Sequence, residues 1–202
     1  MPIAKGVAWG WLGRLPDDGV VVHDDAEAAR VVETARREGR SPPTLGLLGG
    51  DLCRTLGGLR DESRLRSSEA MTFPVDLGVV LVDGRLHVFV AHLVARNQLW
   101  TRVFAAMNAQ FVGPWDVAPR SHPNDSLLDT FDARLRLSDV AKVRARLPLG
   151  THLPHPSIRQ RRTPAVTTEL DRRRPIWLDG VRKDTGRVLA LHLEPDVLRV
   201  VV

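Results

Sequence analysis

The chain has 202 residues, 43% hydrophobic and 26% charged, with a formal net charge of +5. That content can bury a core in one domain or two small ones, and no apolar run nears the ~20 residues that span a bilayer. The single cysteine, Cys53, excludes an internal disulfide framework and is expected to be a small buried hydrophobe.

Met1–Gly6 carries no apolar leader core, and the expected location is cytoplasmic, extending to the membrane periphery. Residues 1–19 hold Trp9 and Trp11 and end in a Leu15–Gly19 turn, as an apolar flap would. Gly19 to Gly50 has the pattern of one β-α-β unit. Val20–Val22 is a short strand, Asp24 or Asp25 can cap a helix over Ala26–Glu38, and Thr44–Leu48 is a second strand. Such a crossover predicts a parallel pair. The strand runs into Gly49-Gly50-Asp51, a strand-to-helix turn able to offer backbone N–H groups to an anion. Residues 58–72 are polar, as in a surface loop.

From Met71 the pattern becomes that of a sheet. Val75–Leu81 and Leu86–His92 are strands around Asp83-Gly84, a strong hairpin signal. Gln98–Asn108 fits a strand or a short helix, and Gly113–Trp115 a loop. Two prolines and Asn124-Asp125 make a turn before an alternating strand from Leu128. Ser138 can cap a helix over Asp139–Leu147. His152 and His155 stand three apart with no third ligand in view and are assigned a structural role. Pro175–Leu178 and Val188–Leu193 are strands around an Asp179–Gly186 turn, and Val197–Val202 is the last strand.

Four short motifs occur in a telling order. They are Asn124-Asp125-Ser126-Leu127-Leu128-Asp129, Gly150-Thr151-His152-Leu153-Pro154-His155-Pro156, Leu178-Asp179-Gly180, and Glu194-Pro195 ahead of Val197-Leu198-Arg199-Val200. Together they resemble the C-terminal domain of the diacylglycerol kinase-like lipid kinases, a group related to the NAD kinases. Asp51, Leu52, Arg54, Leu56 and Gly57 also match a second signature of that family, although its Thr and Asn are missing.

The resemblance implies a fold of two parts. A reduced N-terminal β-α-β layer spans residues 1–70, and a C-terminal antiparallel β-sandwich spans 71–202. It assigns nucleotide contacts to Gly49, Gly50, Asp51 and Arg54. It also assigns a structural Mg²⁺ to the Asp125 side chain with the His122 and Leu127 carbonyls. Asp179 and Gly180 are what remains of the family's D-G-E. The glutamate that would orient or deprotonate an attacking hydroxyl is Val181 here, and valine cannot accept a proton. Losing a general base typically costs ~100- to 10,000-fold in rate. No G-G-D-G-T phosphate loop is found in residues 1–44. Both losses disfavour ATP binding and phosphotransfer.

The expected function is therefore that of a divergent, weakly active or inactive relative, binding a lipid or small ligand in the cleft between the two parts. One alternative is a working lipid or small-molecule kinase with a replacement base, or with a nucleotide domain supplied by another chain. Another is a basic adaptor for anionic membranes or nucleic acid, using Arg159–Arg162 and Arg172–Arg174. A lipid or small ligand, an anionic membrane surface and a second copy of the chain are the expected partners. Nucleic acid is disfavoured, because aromatics are not interleaved with the basic runs.

Overall fold

A computed structural model describes residues 9–202. The leader reading of Met1–Gly6 and the first part of the flap lie outside these residues. Among them antiparallel sheet dominates and helices are few.

The β-α-β unit forms where the sequence puts it. After the two-residue β1 (Trp11–Leu12), β2 (Val20–Val22) and β3 (Leu45–Leu47) pair in parallel across α1 (Asp25–Arg37). Asp24 is extended and accepts the Glu27 N–H at 2.7 Å, leaving Asp25 free inside the first turn. Arg36 and Arg37 in the last turn complement the helix dipole. Trp9 packs on the rings of Phe73 (4.5 Å) and His122 (4.4 Å), whereas Trp11 is half exposed.

Beyond β3 come α2 (Gly50–Thr55) and a single turn, α3 (Glu62–Leu65). The expected surface loop over 58–72 is thus partly helical. Leu65 is the reason: it is buried with Leu15, Ala70 and Val201, and its carbonyl accepts the Leu15 N–H at 2.7 Å.

The rest is β4 (Met71–Val82), β5 (Arg85–Phe89), β6 (His92–Arg96), β7 (Arg102–Met107), β8 (Phe111–Val112), β9 (Trp115–Asp116) and β10 (Leu128–Arg134). There follow a third helix of any length, α4 (Leu137–Arg146), then β11 (Ile158–Thr163), β12 (Ala165–Leu178) and β13 (Val181–Val201). The Asp83-Gly84 hairpin is present, with both residues at positive φ (47° and 85°). The undecided stretch is strand β7.

Four expectations change. Leu86–His92 is not one strand, because β5 ends at Phe89 and β6 begins at His92. The N–H groups between them turn aside to Asp179, as described below. The turn after Leu178 is two residues, Asp179-Gly180 (φ 50° and 78°), not eight. Val188–Leu193 and Val197–Val202, all but its last residue, are parts of one 21-residue strand, its register broken between Glu194 and Leu198. Finally, Arg136 rather than Ser138 precedes α4, and no side chain caps it.

The sheet runs β1-β4-β13-β12-β6-β7-β10-β11, with β5 on β4 and β2-β3 joined through β13. Val200 and Val201 pair in parallel with Leu45 and Gly46, so the last strand ties the N-terminal unit to the rest. β4 shows why this holds. Val75, Leu77 and Val79 enter one core with Val32, Leu47 and Val200, while Val80 and Val82 enter another with Phe104 and Ile176. A strand buried on both faces needs a nearly continuous apolar run, and each such side chain contributes ~1.5–3 kcal/mol.

Candidate functional site

Four titratable side chains converge where β2–α1, β3–α2, β5–β6 and β12–β13 meet. Asp179 sits at positive φ in its two-residue turn, which aims its carboxylate back under the β5–β6 break. Oδ2 accepts the Val90 N–H at 2.9 Å, and Oδ1 accepts those of Ala91 (2.9 Å) and His92 (3.1 Å). Its own N–H donates to the His92 carbonyl at 2.9 Å. The carboxylate replaces the ladder partners that the break removes. Burial raises the Asp179 pKa to about 6, against the pull of His92 and the three N–H donors.

His92 is buried and its Nε2 meets Asp51 Oδ2 at 2.9 Å. Burial lowers its pKa, but the Asp51 hydrogen bond and the charge of Asp179 outweigh that and raise it. Asp51 also accepts the Gly113 N–H of the β8–β9 hairpin at 2.9 Å. Burial would raise Asp51, and the His92 and Gly113 bonds reverse this and lower it.

Asp25 closes the set. Its carboxylate accepts the N–H groups of Asp51 and Leu52, the first turn of α2. Burial, then the charge of Asp179, pushes its pKa up to about 7. Gly49 and Gly50 make this approach possible. A Cβ at Gly50, whose φ is +90°, would lie 2.4 Å from Asp25 Oδ1, and one at Gly49 2.2 Å from the His23 carbonyl. The donors that could receive a phosphate are thus occupied by the protein's own carboxylate.

The other expected residues fall as follows. Arg54 donates to the Gly113 carbonyl (2.8 Å) and stacks over Phe111 at 3.8 Å, fixing the β8–β9 hairpin. Gly180 is exposed at the turn tip and Val181 is about half exposed beside it. Cys53 is buried, which raises its thiol pKa to about 11. His152 is buried, its ring 6.4 Å from that of Phe131.

Asp125 lies in a separate turn. It accepts the Leu127 N–H at 3.0 Å and forms an ion pair with Arg162. Asp76 accepts the N–H groups of Ser126 (2.7 Å) and Asp196 (3.0 Å), and Ser126 takes up φ +59°. His122 meets the Trp9 ring edge to face there. The two turns are linked by buried Asn108, whose Nδ2 donates to the carbonyls of Asp76 (2.8 Å) and Val90 (2.9 Å). Among the described residues no group of three His, Cys, Asp or Glu side chains is arranged to hold a metal.

Asp25, His92 and Asn108 escaped the sequence reading. Asp25 alone left a trace there, as the second of two acids where one suffices for the cap.

A different kind of site lies under α4. Val94, Ala105 and Phe131 of the sheet, Val143 and Leu147 of the helical segment, and Trp115 of the hairpin enclose a cavity of about 80 Å³. Of the residues that line it, only Arg144 and His152 carry titratable groups.

No protein-family model matches the sequence, and no curated protein matches it. Solved structures do. A candidate diacylglycerol kinase from Bacillus anthracis strain Sterne matches with a TM-score of 0.69 at 13% identity, over 91% of this chain and 77% of that one. Two further structures from the same strain, of a candidate diacylglycerol kinase and of a diacylglycerol kinase, give 0.65 and 0.62, each at 13% identity, over 91% of this chain and 77% and 75% of theirs. The fold is that of the diacylglycerol kinase-like proteins. Within this diacylglycerol kinase-like fold no helix of the described residues is long and apolar enough to cross a membrane.

Proposed function

We propose that this diacylglycerol kinase-like chain is a divergent member of the lipid kinase family that binds a lipid and has little or no phosphotransferase activity. The observation that carries the reading is the Asp25 carboxylate on the first N–H groups of α2. Phosphoryl transfer needs a cradle for the phosphates, charge neutralisation and a group that orients the nucleophile. At the cradle a phosphate would meet a carboxylate. At the base position it would meet Val181, whose side chain accepts no proton. The division into a reduced nucleotide-domain part and a C-terminal sandwich belongs to the same proposal.

The site residues support a positioning role. Asp51, His92 and Asp179 hold the β5–β6 break and the β8–β9 hairpin in place. That hairpin walls the apolar cavity, so we place the lipid under α4 rather than in the cleft at the carboxylates. An apolar tail gains ~0.8 kcal/mol per buried CH₂ in such a cavity, and nothing near the carboxylates offers that. A Mg²⁺ at the Asp125 turn would have to displace the Arg162 guanidinium, which already neutralises that carboxylate, so the residues present do not fit a divalent ion.

The basic-adaptor reading gains less. Arg162, Arg173 and Arg174 are paired with Asp125, Asp83 and Asp171. Strands β6, β7 and β10 separate the two arginine runs in the sheet order.

The test is a thermal-shift titration with ATP, with and without Mg²⁺. A ligand that binds only the folded state raises the midpoint by mass action. The expected result is no shift up to millimolar ATP; a Mg²⁺-dependent rise would overturn the inactive reading.

A further inference from the structure

Two guanidiniums without counter-ions meet Trp100, which lines the cavity under α4. Arg96, at the end of β6, lies over the rings of both Trp100 (4.2 Å) and Trp177 (4.5 Å). Arg144, on α4, faces Trp100 (5.8 Å) and Trp115 (5.5 Å) and lines the cavity itself. Among the described residues neither guanidinium forms an ion pair. Most arginines of the described residues likewise lack an ion pair; what sets these two apart is that both lie against Trp100, on the wall of the apolar cavity. The two are also close enough to oppose one another: partial burial, then the charge of Arg144, lowers the Arg96 pKa.

The surroundings have the same sign. Arg102 and Arg172 line the groove that continues past Arg96, and its one acid, Asp171, is engaged by Arg174. Cation–π contacts hold each guanidinium on its tryptophan without neutralising it. Guanidinium forks gathered at one tryptophan suit a carboxylate or phosphate, whose oxygens accept charge-assisted hydrogen bonds. Directly beneath lies an almost wholly apolar cavity. A neutral head would leave the arginines uncompensated, and a cationic one would be repelled.

We propose that Arg96 and Arg144 bind the anionic head of a single-chain amphiphile whose alkyl tail enters the cavity under α4. The proposal rests on the lipid-binding reading above and specifies its ligand. The cavity as it stands holds a few methylenes. A longer tail enters by lifting α4, which has no side-chain cap and buries only Val143 within its length.

The experiment is calorimetric titration of the full chain with decanoate, decyl phosphate and decanol, each below its micelle-forming concentration. The two anions distinguish a carboxylate from a phosphate head, and decanol is their neutral twin. At least one anion should bind about tenfold or more tighter than decanol, the scale of a charge-assisted contact. The pair Arg96→Gln and Arg144→Gln should abolish that preference and leave decanol affinity within about twofold. Should the double variant fail to fold, Arg144→Gln alone should reduce the preference, since Arg144 is exposed, and added salt should weaken the anions but not decanol. Equal affinity for all three, or a preference that survives the substitutions, overturns the headgroup assignment and leaves the lipid reading intact. If none of the three binds, the lipid reading falls and this proposal with it.

Discussion

The carboxylate cluster and the cavity under α4 lie on either side of the β8–β9 hairpin and are built on opposite terms. At the cluster the acceptors are used internally: Asp25 holds the start of α2, Asp179 holds the β5–β6 break, and Asp51 holds Gly113. Under α4 the chain leaves its capacity open, with two unneutralised arginines and an apolar space. Residues drawn from signature motifs can thus end as struts, while the apolar cavity forms mostly between residues that belong to no motif, His152 excepted.

If the cluster is a strut, breaking it should cost stability first. The largest effect is expected from Asp179→Ala, which strands three buried N–H groups. At ~1–3 kcal/mol per unsatisfied group the loss should be at least ~3 kcal/mol, read as a fall in the urea midpoint. A variant as stable as the parent would remove Asp179 from its structural role. Next comes Gly50→Ala, which combines a left-handed φ with a clash against Asp25. A loss of ~1–3 kcal/mol is expected, measured by thermal denaturation, and a neutral result would mean that the Asp25 approach is not tight.

The third effect is a pH dependence. Asp25 and Asp179, raised to about 7 and about 6, keep protons in the folded state that the unfolded chain has released above about pH 4. His92, also raised, acts in the same direction. The stability they contribute is present at low pH and lost as pH rises through 6 to 7. Asp51 is lowered and acts oppositely, losing its contribution only as pH falls below its ordinary range. The melting temperature should therefore rise from pH 8 to pH 6, and Asp25→Asn should flatten that rise. A flat profile in the parent protein would show that the cluster is ionised throughout.

The smallest effect sharpens the contrast at the Asp125 turn. Asp125→Asn should cost ~1 kcal/mol or less, since the Arg162 guanidinium it pairs with is partly exposed. EDTA should leave the melting temperature of the parent unchanged. A drop with EDTA that Mg²⁺ reverses would mean that a metal, not Arg162, neutralises Asp125.

Much of the fold was legible from local patterns. The β-α-β unit, the Asp83-Gly84 hairpin and the strand at Leu128 follow from turn chemistry and apolar periodicity, which act over a few residues. The errors cluster where distant segments compete for the same backbone groups. Leu86–His92 alternates like one strand, yet Asp179, almost ninety positions away, captures the N–H groups in its middle. Residues 58–72 look polar enough for a loop, yet Leu65 finds Leu15 and Val201.

The site divides in the same way. Asp51, Arg54, Asp179 and Asp125 could be singled out because each stands in a short motif with its turn residues. Their partners could not, since Asp25, His92 and Asn108 acquire their roles only when four loops converge. By itself the sequence determined most of the periodic elements, the Asp83-Gly84 turn, and that position 181, beside Asp179-Gly180, is a valine. Tertiary structure decided which carboxylate faces which N–H and which arginines come to lie against Trp100. The physical reason is range: propensity and turn geometry act within a few residues, whereas burial and charge pairing depend on groups that only the folded chain brings together.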